Sequence, residues 1–313
     1  MSLGIAVTTT GGIVLAADSR QSYVNRKGMG RVGSDSAQKV FNLTDRVGVV
    51  MAGLAFLDDN GTPKNVSRFI EEFKRVHELK KLNVQQIATK LVEFLGETFK
   101  YKKLLHQLPQ QIEANLKKNG MELIEHKIVN AQVVFKFKHP NGEIQSGVTG
   151  IQGLYFLVAG FNNDGTHMVC NVSMPGSIEL MRDSSTKGKE YGADWIGQTD
   201  VVSRIVLGVD GRISALPFVQ KAAQEVSESQ IKAQLSGLEY VIQWGAMTVQ
   251  DAIDFRRLAI ETTTSIQRFS DGIQMDPGDL PGVGGAVDVA YIGVDKDFDW
   301  IKKKELSAEN FDK

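Results

Sequence analysis

The sequence predicts an α+β fold: a sheet sandwich covered by helices on both outer faces, in one domain spanning 1–313. Two observations predict it. Short apolar runs of strand length open the chain, recur in its middle and close it, and stretches with apolar residues every three or four positions separate them. No linker or internal repeat divides the 313 residues.

The elements follow in order. Leu3 to Val7 and Ile13 to Ala17 are apolar and bounded by Thr and Gly, so they read as two strands joined by a tight turn at Thr10-Gly11-Gly12. Residues 21–38 are polar and glycine-rich and read as a loop. Val40-Phe41 and Val47 to Met51 read as further strands. Val66, Phe69, Ile70, Phe73 and Val76 mark an amphipathic helix. Val84, Ile87, Ala88, Leu91, Leu95 and Phe99 mark a second, with Asn83 as its cap. A shorter helix is expected from Pro109 towards Lys118. Ile128 to Phe137 and Glu143 to Val148 flank His139-Pro140-Asn141-Gly142, a hairpin signal. Leu154 to Ala159 and His167 to Val172 form another strand pair. Helices are expected at about 189–206, 217–240 and 248–268. A Gly/Pro-rich loop from Asp276 to Gly285 precedes a last strand at Ala286 to Val294.

Composition narrows the function. The net charge is −1, which gives no global attraction to nucleic acid or anionic membrane. The longest apolar run, Val47 to Leu57, is too short to span a bilayer. The first residues lack the basic flank of a secretory signal, so a soluble, cytoplasmic protein is expected. The single cysteine, Cys170, excludes an internal disulfide and reads as a buried, inert thiol. The five histidines show no ligand spacing, and neither a metal nor a cofactor is expected. Gly28-Met29-Gly30-Arg31-Val32-Gly33 matches a dinucleotide-binding string, but that motif needs a helix directly after it, and a strand is expected instead.

Four positions carry chemistry together. Ser2 becomes the first residue if Met1 is removed. Asp18, in Ala16-Ala17-Asp18-Ser19-Arg20, follows sixteen residues later; Lys39 opens the next strand; Gly53 lies fourteen residues beyond it. These residues and spacings resemble the start of a proteasome β-type subunit, an N-terminal-nucleophile hydrolase, where a threonine stands in place of Ser2. The resemblance implies a four-layer αββα fold and a peptidase acting on peptide or amide bonds. It further implies a homo-oligomer built as a ring or stacked assembly; an unfoldase partner is not identified. In that chemistry the hydroxyl attacks the carbonyl while the α-amine, with an ordinary pKa of about 7.7–8, takes its proton. A nearby Lys39 cation lowers the amine pKa further, Asp18 orients Lys39, and the Gly53 N–H stabilises the oxyanion. Arg20, Ser22 and Met51 are the implied substrate-binding residues, with Met51 making the pocket apolar and favouring a hydrophobic residue before the cut.

The departures place the chain nearer the divergent bacterial proteasome-like branches, HslV and Anbu. Serine lacks the methyl that restricts a threonine rotamer. The loop between Arg20 and Lys39 is longer. Ile196-Gly197-Gln198-Thr199-Asp200 stands for the family's supporting turn, and Asp271, Gln267 and Ser270 all remain candidates for its second aspartate. About 100–150 and 205–247 read as insertions. Residues 64–138 carry a net +7 against −8 for the rest, which is either a docking face or a set of solvated helix surfaces. Two other functions share the motif: a small-molecule amidase or acylase on the same fold, and a non-catalytic scaffold subunit.

Overall fold

The structure is a computed structural model that describes residues 2–25, 27, 29–129, 131–271 and 280–305. In chain order the elements are β1 (Leu3–Thr9), β2 (Gly12–Ala17), β3 (Gln21–Val24), β4 (Gly30–Ser34), β5 (Val40–Thr44), β6 (Val47–Gly53), β7 (Phe56–Asp59), β8 (Thr62–Asn65), α1 (Val66–Val76), α2 (Val84–Thr98) and α3 (Tyr101–Lys118). There follow β9 (Glu122–Val129), β10 (Gln132–Lys138), β11 (Ile144–Gly150), β12 (Leu154–Phe161), β13 (His167–Met174), β14 (Ile178–Asp183) and β15 (Gly192–Gly197). The chain continues with α4 (Asp200–Leu207), α5 (Pro217–Glu225), α6 (Glu228–Leu235), α7 (Val249–Phe269), β16 (Asp288–Gly293) and β17 (Asp299–Lys302).

Two five-stranded antiparallel sheets dominate, ordered β15-β1-β2-β16-β17 and β14-β13-β12-β6-β5. Their strands are apolar on both faces, and period two divides the side chains between cores. On β2, Ile13 and Leu15 join a core between the sheets with Val50, Leu157 and Val169. Val14 and Ala16, on the other face, meet Val202, Phe255 and Ala259 of α4 and α7. On the far side of the second sheet, Val49 and Met51 join Phe73, Ile87 and Leu91 of α1 and α2. Each large apolar side chain buried this way contributes about 1.5–3 kcal/mol. Asn65 and Asn83 cap α1 and α2, the latter with a capping box to Gln86.

Several expectations are corrected. The 21–38 loop contains the β3–β4 hairpin. The third helix begins at Tyr101 and runs through Pro109, because Leu105, Ile112 and Leu116 bury against Val133 in a satellite core under the β9–β10–β11 sheet. The run from Ile128 to Phe137 is two strands, reversed at Ala131 with φ 60°. The helix expected at 189–206 starts only at Asp200; β15 occupies 192–197. β14 and β17 were not anticipated. Part of the Asp276 to Gly285 loop, Met1 and Gly28 lie outside the described residues. Gly30–Ser34 is a strand with no helix directly after it, as the dinucleotide motif would need. The Cys170 thiol is buried, which pushes its pKa up to about 11, as expected of an inert sulfhydryl.

Candidate active site

The β1–β2 hairpin places Ser2 and Asp18 together. Its register pairs Gly4 with Ala17, so the residue after β2 returns beside the head of β1. The Asp18 side chain, 1% exposed, is saturated there: Oδ1 accepts from Leu3 N and Lys39 Nζ, both at 3.0 Å, and Oδ2 accepts from Arg20 N and Gly284 N, both at 3.0 Å. The amide next to Ser2 and the Lys39 ammonium thus share one oxygen atom.

Lys39 directly precedes β5, where its carbonyl accepts from Met51 N at 2.9 Å. Its ammonium also donates to the Arg20 carbonyl at 2.5 Å. Burial pulls the Lys39 pKa below the usual lysine value, and the Asp18 charge and hydrogen bond oppose that pull. A second buried pair adds to the field. Asp288 lies opposite Ala17 on β16 and pairs with Lys304, whose charge also lowers Lys39.

Gly53 ends β6 with φ +96°, and a Cβ there would stand 2.2 Å from the Gly153 carbonyl oxygen, so the position requires glycine. Met51 N points to β5 and Leu54 N to Gly153 on the β12 side. Strand alternation therefore turns the Gly53 N–H to the Lys39 side, beyond the first residue of β5.

Ser2, Lys39, Gly53, Arg20, Ser22 and Met51 line one narrow cleft. Asp18 lies behind it. Arg20 lines the cleft while its guanidinium grips Asp35 at 2.7 and 2.9 Å and fastens the segment leading into β5, and its carbonyl holds Lys39. That pairing raises the Arg20 pKa and lowers that of Asp35. The cleft is also less apolar than Met51 alone implied, because Gln21 and Asn65 line it too. Neither stands out by sequence, and in the structure Asn65 also caps α1.

Behind Ser2 a chain of amides links the turn after β15 to α7 and to Val283. Ser2 O accepts from Gln198 N at 2.7 Å. Gln267 donates to Gln198 Oε1 at 2.7 Å and accepts from Val283 N at 2.9 Å. Of the three candidates left open for that position, Gln267 reaches this turn, while Ser270 and Asp271 are exposed. Gly197, with φ +92°, packs so closely that a Cβ would meet the Ser2 carbonyl oxygen at 2.0 Å. Among the described residues no His, Cys, Asp and Glu cluster fit for a metal occurs, and no helix is long and apolar enough to cross a membrane.

Residues 3–103 match the family model described as "Proteasome subunit". That span is about a third of the chain. It starts one residue after Ser2, contains Asp18, Lys39 and Gly53, and ends in the first turn of α3. At this coarse level the N-terminal part is similar to proteasome subunits, generally peptidases that assemble into rings. No curated protein matches the chain.

Proposed function

We propose that the chain is a proteasome-like peptidase whose nucleophile is Ser2, exposed by removal of Met1. The observation that carries this reading is the buried Asp18–Lys39 pair, joined through one carboxylate oxygen to the amide of the residue following Ser2. The freed α-amine takes the hydroxyl proton as Oγ attacks the scissile carbonyl. The Lys39 cation lowers the amine pKa and stabilises developing negative charge, and the Gly53 N–H receives the oxyanion. The acyl-Ser2 ester is then hydrolysed by water activated by the same amine. Three stacked apolar cores support a four-layer αββα arrangement for this reading. The same reading makes the protein a self-associating member of the divergent bacterial branch, with the α3–β11 insertion outside the shared part.

Intact mass of the purified protein tests it directly. The expected result is loss of the Met1 mass, followed by a single acyl adduct on Ser2 after incubation with a peptidyl β-lactone. Retained Met1, or an adduct that persists in Ser2→Ala, would overturn the assignment.

A further inference from the structure

Besides Gln38, whose Nε2 donates to the Val40 carbonyl at 3.1 Å, two side-chain amides line the cleft and take no part in the chemistry above. Asn65 caps α1, its Oδ1 accepting from Ser67 N at 3.0 Å and from Ser67 Oγ at 2.8 Å. A backbone N–H only donates, so this contact fixes which end of the Asn65 amide is oxygen. Its Nδ2 then faces Gln21 and donates to Oε1 at 2.9 Å, which fixes the second amide in turn. The Gln21 Nε2 is the donor left over, and it makes no hydrogen bond among the described residues. One unambiguous backbone donor thus dictates, through two amides, that the end of Gln21 not held by Asn65 is its –NH2 group, on a residue that lines the cleft.

Its surroundings define what that group takes. Gln21 is buried, and Ala37, Met51 and Ala55 make much of the remaining wall apolar. The two cations of the cleft, Lys39 and Arg20, are already engaged by Asp18 and Asp35. A carboxylate entering here would lose its water without gaining a free counter-ion, and an aliphatic side chain would leave the Gln21 donor unmet. A neutral carbonyl oxygen satisfies both conditions.

We infer that Gln21, oriented by Asn65, selects substrates whose side chain on the acyl side of the scissile bond carries a neutral hydrogen-bond acceptor, glutamine and asparagine among natural residues. The inference rests on the Ser2 hydrolase reading. The test uses the full-length protein and three peptidyl aminocoumarins that differ only in their last residue: glutamine, glutamate γ-methyl ester or norleucine. Glutamine and the ester are each cleaved with kcat/KM about tenfold above norleucine, the scale of one neutral hydrogen bond. Gln21→Leu brings the three kcat/KM values to within about twofold of one another. Asn65→Asp keeps the cap to Ser67 but accepts from Gln21, turning its Oε1 to the cleft. The ester, which only accepts, then loses its advantage, and glutamine, which also donates, keeps it. A wild-type ratio near one, or ratios unchanged in both variants, overturns the inference and leaves the hydrolase reading standing. Absence of turnover for all three, with no adduct on Ser2, overturns the hydrolase reading and this inference with it.

Discussion

Asp18→Asn is the sharpest perturbation of this site because it barely changes shape. Each carboxylate oxygen accepts two donors, so whichever oxygen becomes –NH2, two donors face a third. Orphaned buried donors cost about 1–3 kcal/mol each. Leaving the Lys39 cation without its counter-ion belongs to the class of broken buried pairs that lose about 3–5 kcal/mol. These costs overlap, since Lys39 is itself one of the donors, and a net loss of about 4 kcal/mol follows. At about 2–4 °C per kcal/mol for a large domain, the melting temperature falls by about 8–16 °C. Lys39, already pulled down by burial, loses the charge that opposes that pull, so its pKa falls further, and peptide hydrolysis drops at least about a hundredfold, the scale of losing one charge-stabilising group. Thermal unfolding and kcat/KM on one aminocoumarin peptide measure both effects. The double variant Asp18→Asn/Lys39→Met removes the stranded charge and regains part of the stability. A melting temperature within 2 °C or so of wild type, or a double variant no more stable than Asp18→Asn alone, would refute the reasoning.

Gly197→Ala drives a Cβ into the Ser2 carbonyl from a left-handed backbone position, so kcat falls more than KM rises, and about 1–3 kcal/mol of stability is lost; steady-state kinetics and urea titration check it. The pH profile of kcat/KM is bell-shaped: protonation of the α-amine sets the acid limb, and loss of the Lys39 cation sets an alkaline limb that begins below the ordinary lysine pKa of about 10.4, whereas a plateau reaching that pH contradicts it. Lys304→Met removes a cation that pushes Lys39 down and leaves Asp288 unpaired, so the Lys39 pKa rises and the alkaline limb moves to higher pH. Leu91→Ala, at a fully buried position of α2, costs about 2–5 kcal/mol in urea unfolding while the folded protein keeps its specific activity.

The sequence shows most clearly those parts whose side chains follow one period. β1, β2 and β6 are continuous apolar runs because both faces are buried, and α1, α2 and α7 repeat every three to four residues because one face is. β15 breaks that rule. Its Gly-Ala-Asp-Trp-Ile-Gly sequence buries Asp194, whose carboxyl is raised by burial and held by Arg182 at 2.9 and 3.0 Å, so a tertiary ion pair determines a strand that has no apolar alternation. The reversal at Ala131 carries no glycine or proline at that residue to announce it.

The spacing of Ser2, Asp18, Lys39 and Gly53 was readable because short hairpins and adjacent strands convert sequence distance into fixed position. The amides of Gln198 and Gln267 sit 69 residues apart, and Gln21 meets Asn65 across 44. Nothing local in the sequence signals contacts made only by folding.

The groups that converge on the Asp18 carboxylate come from Leu3, Arg20, Lys39 and Gly284, so the last of them leaves the ribosome 266 residues after the aspartate it serves. A nascent chain can present its first residues early, yet the carboxylate beneath them lacks its Gly284 donor until the segment leading into β16 is in place. Synthesis itself therefore separates exposure of the N-terminal segment from completion of the hydrogen bonds around Asp18. A polypeptide terminated before residue 284 would carry Ser2 and Asp18 without the Gly284 support.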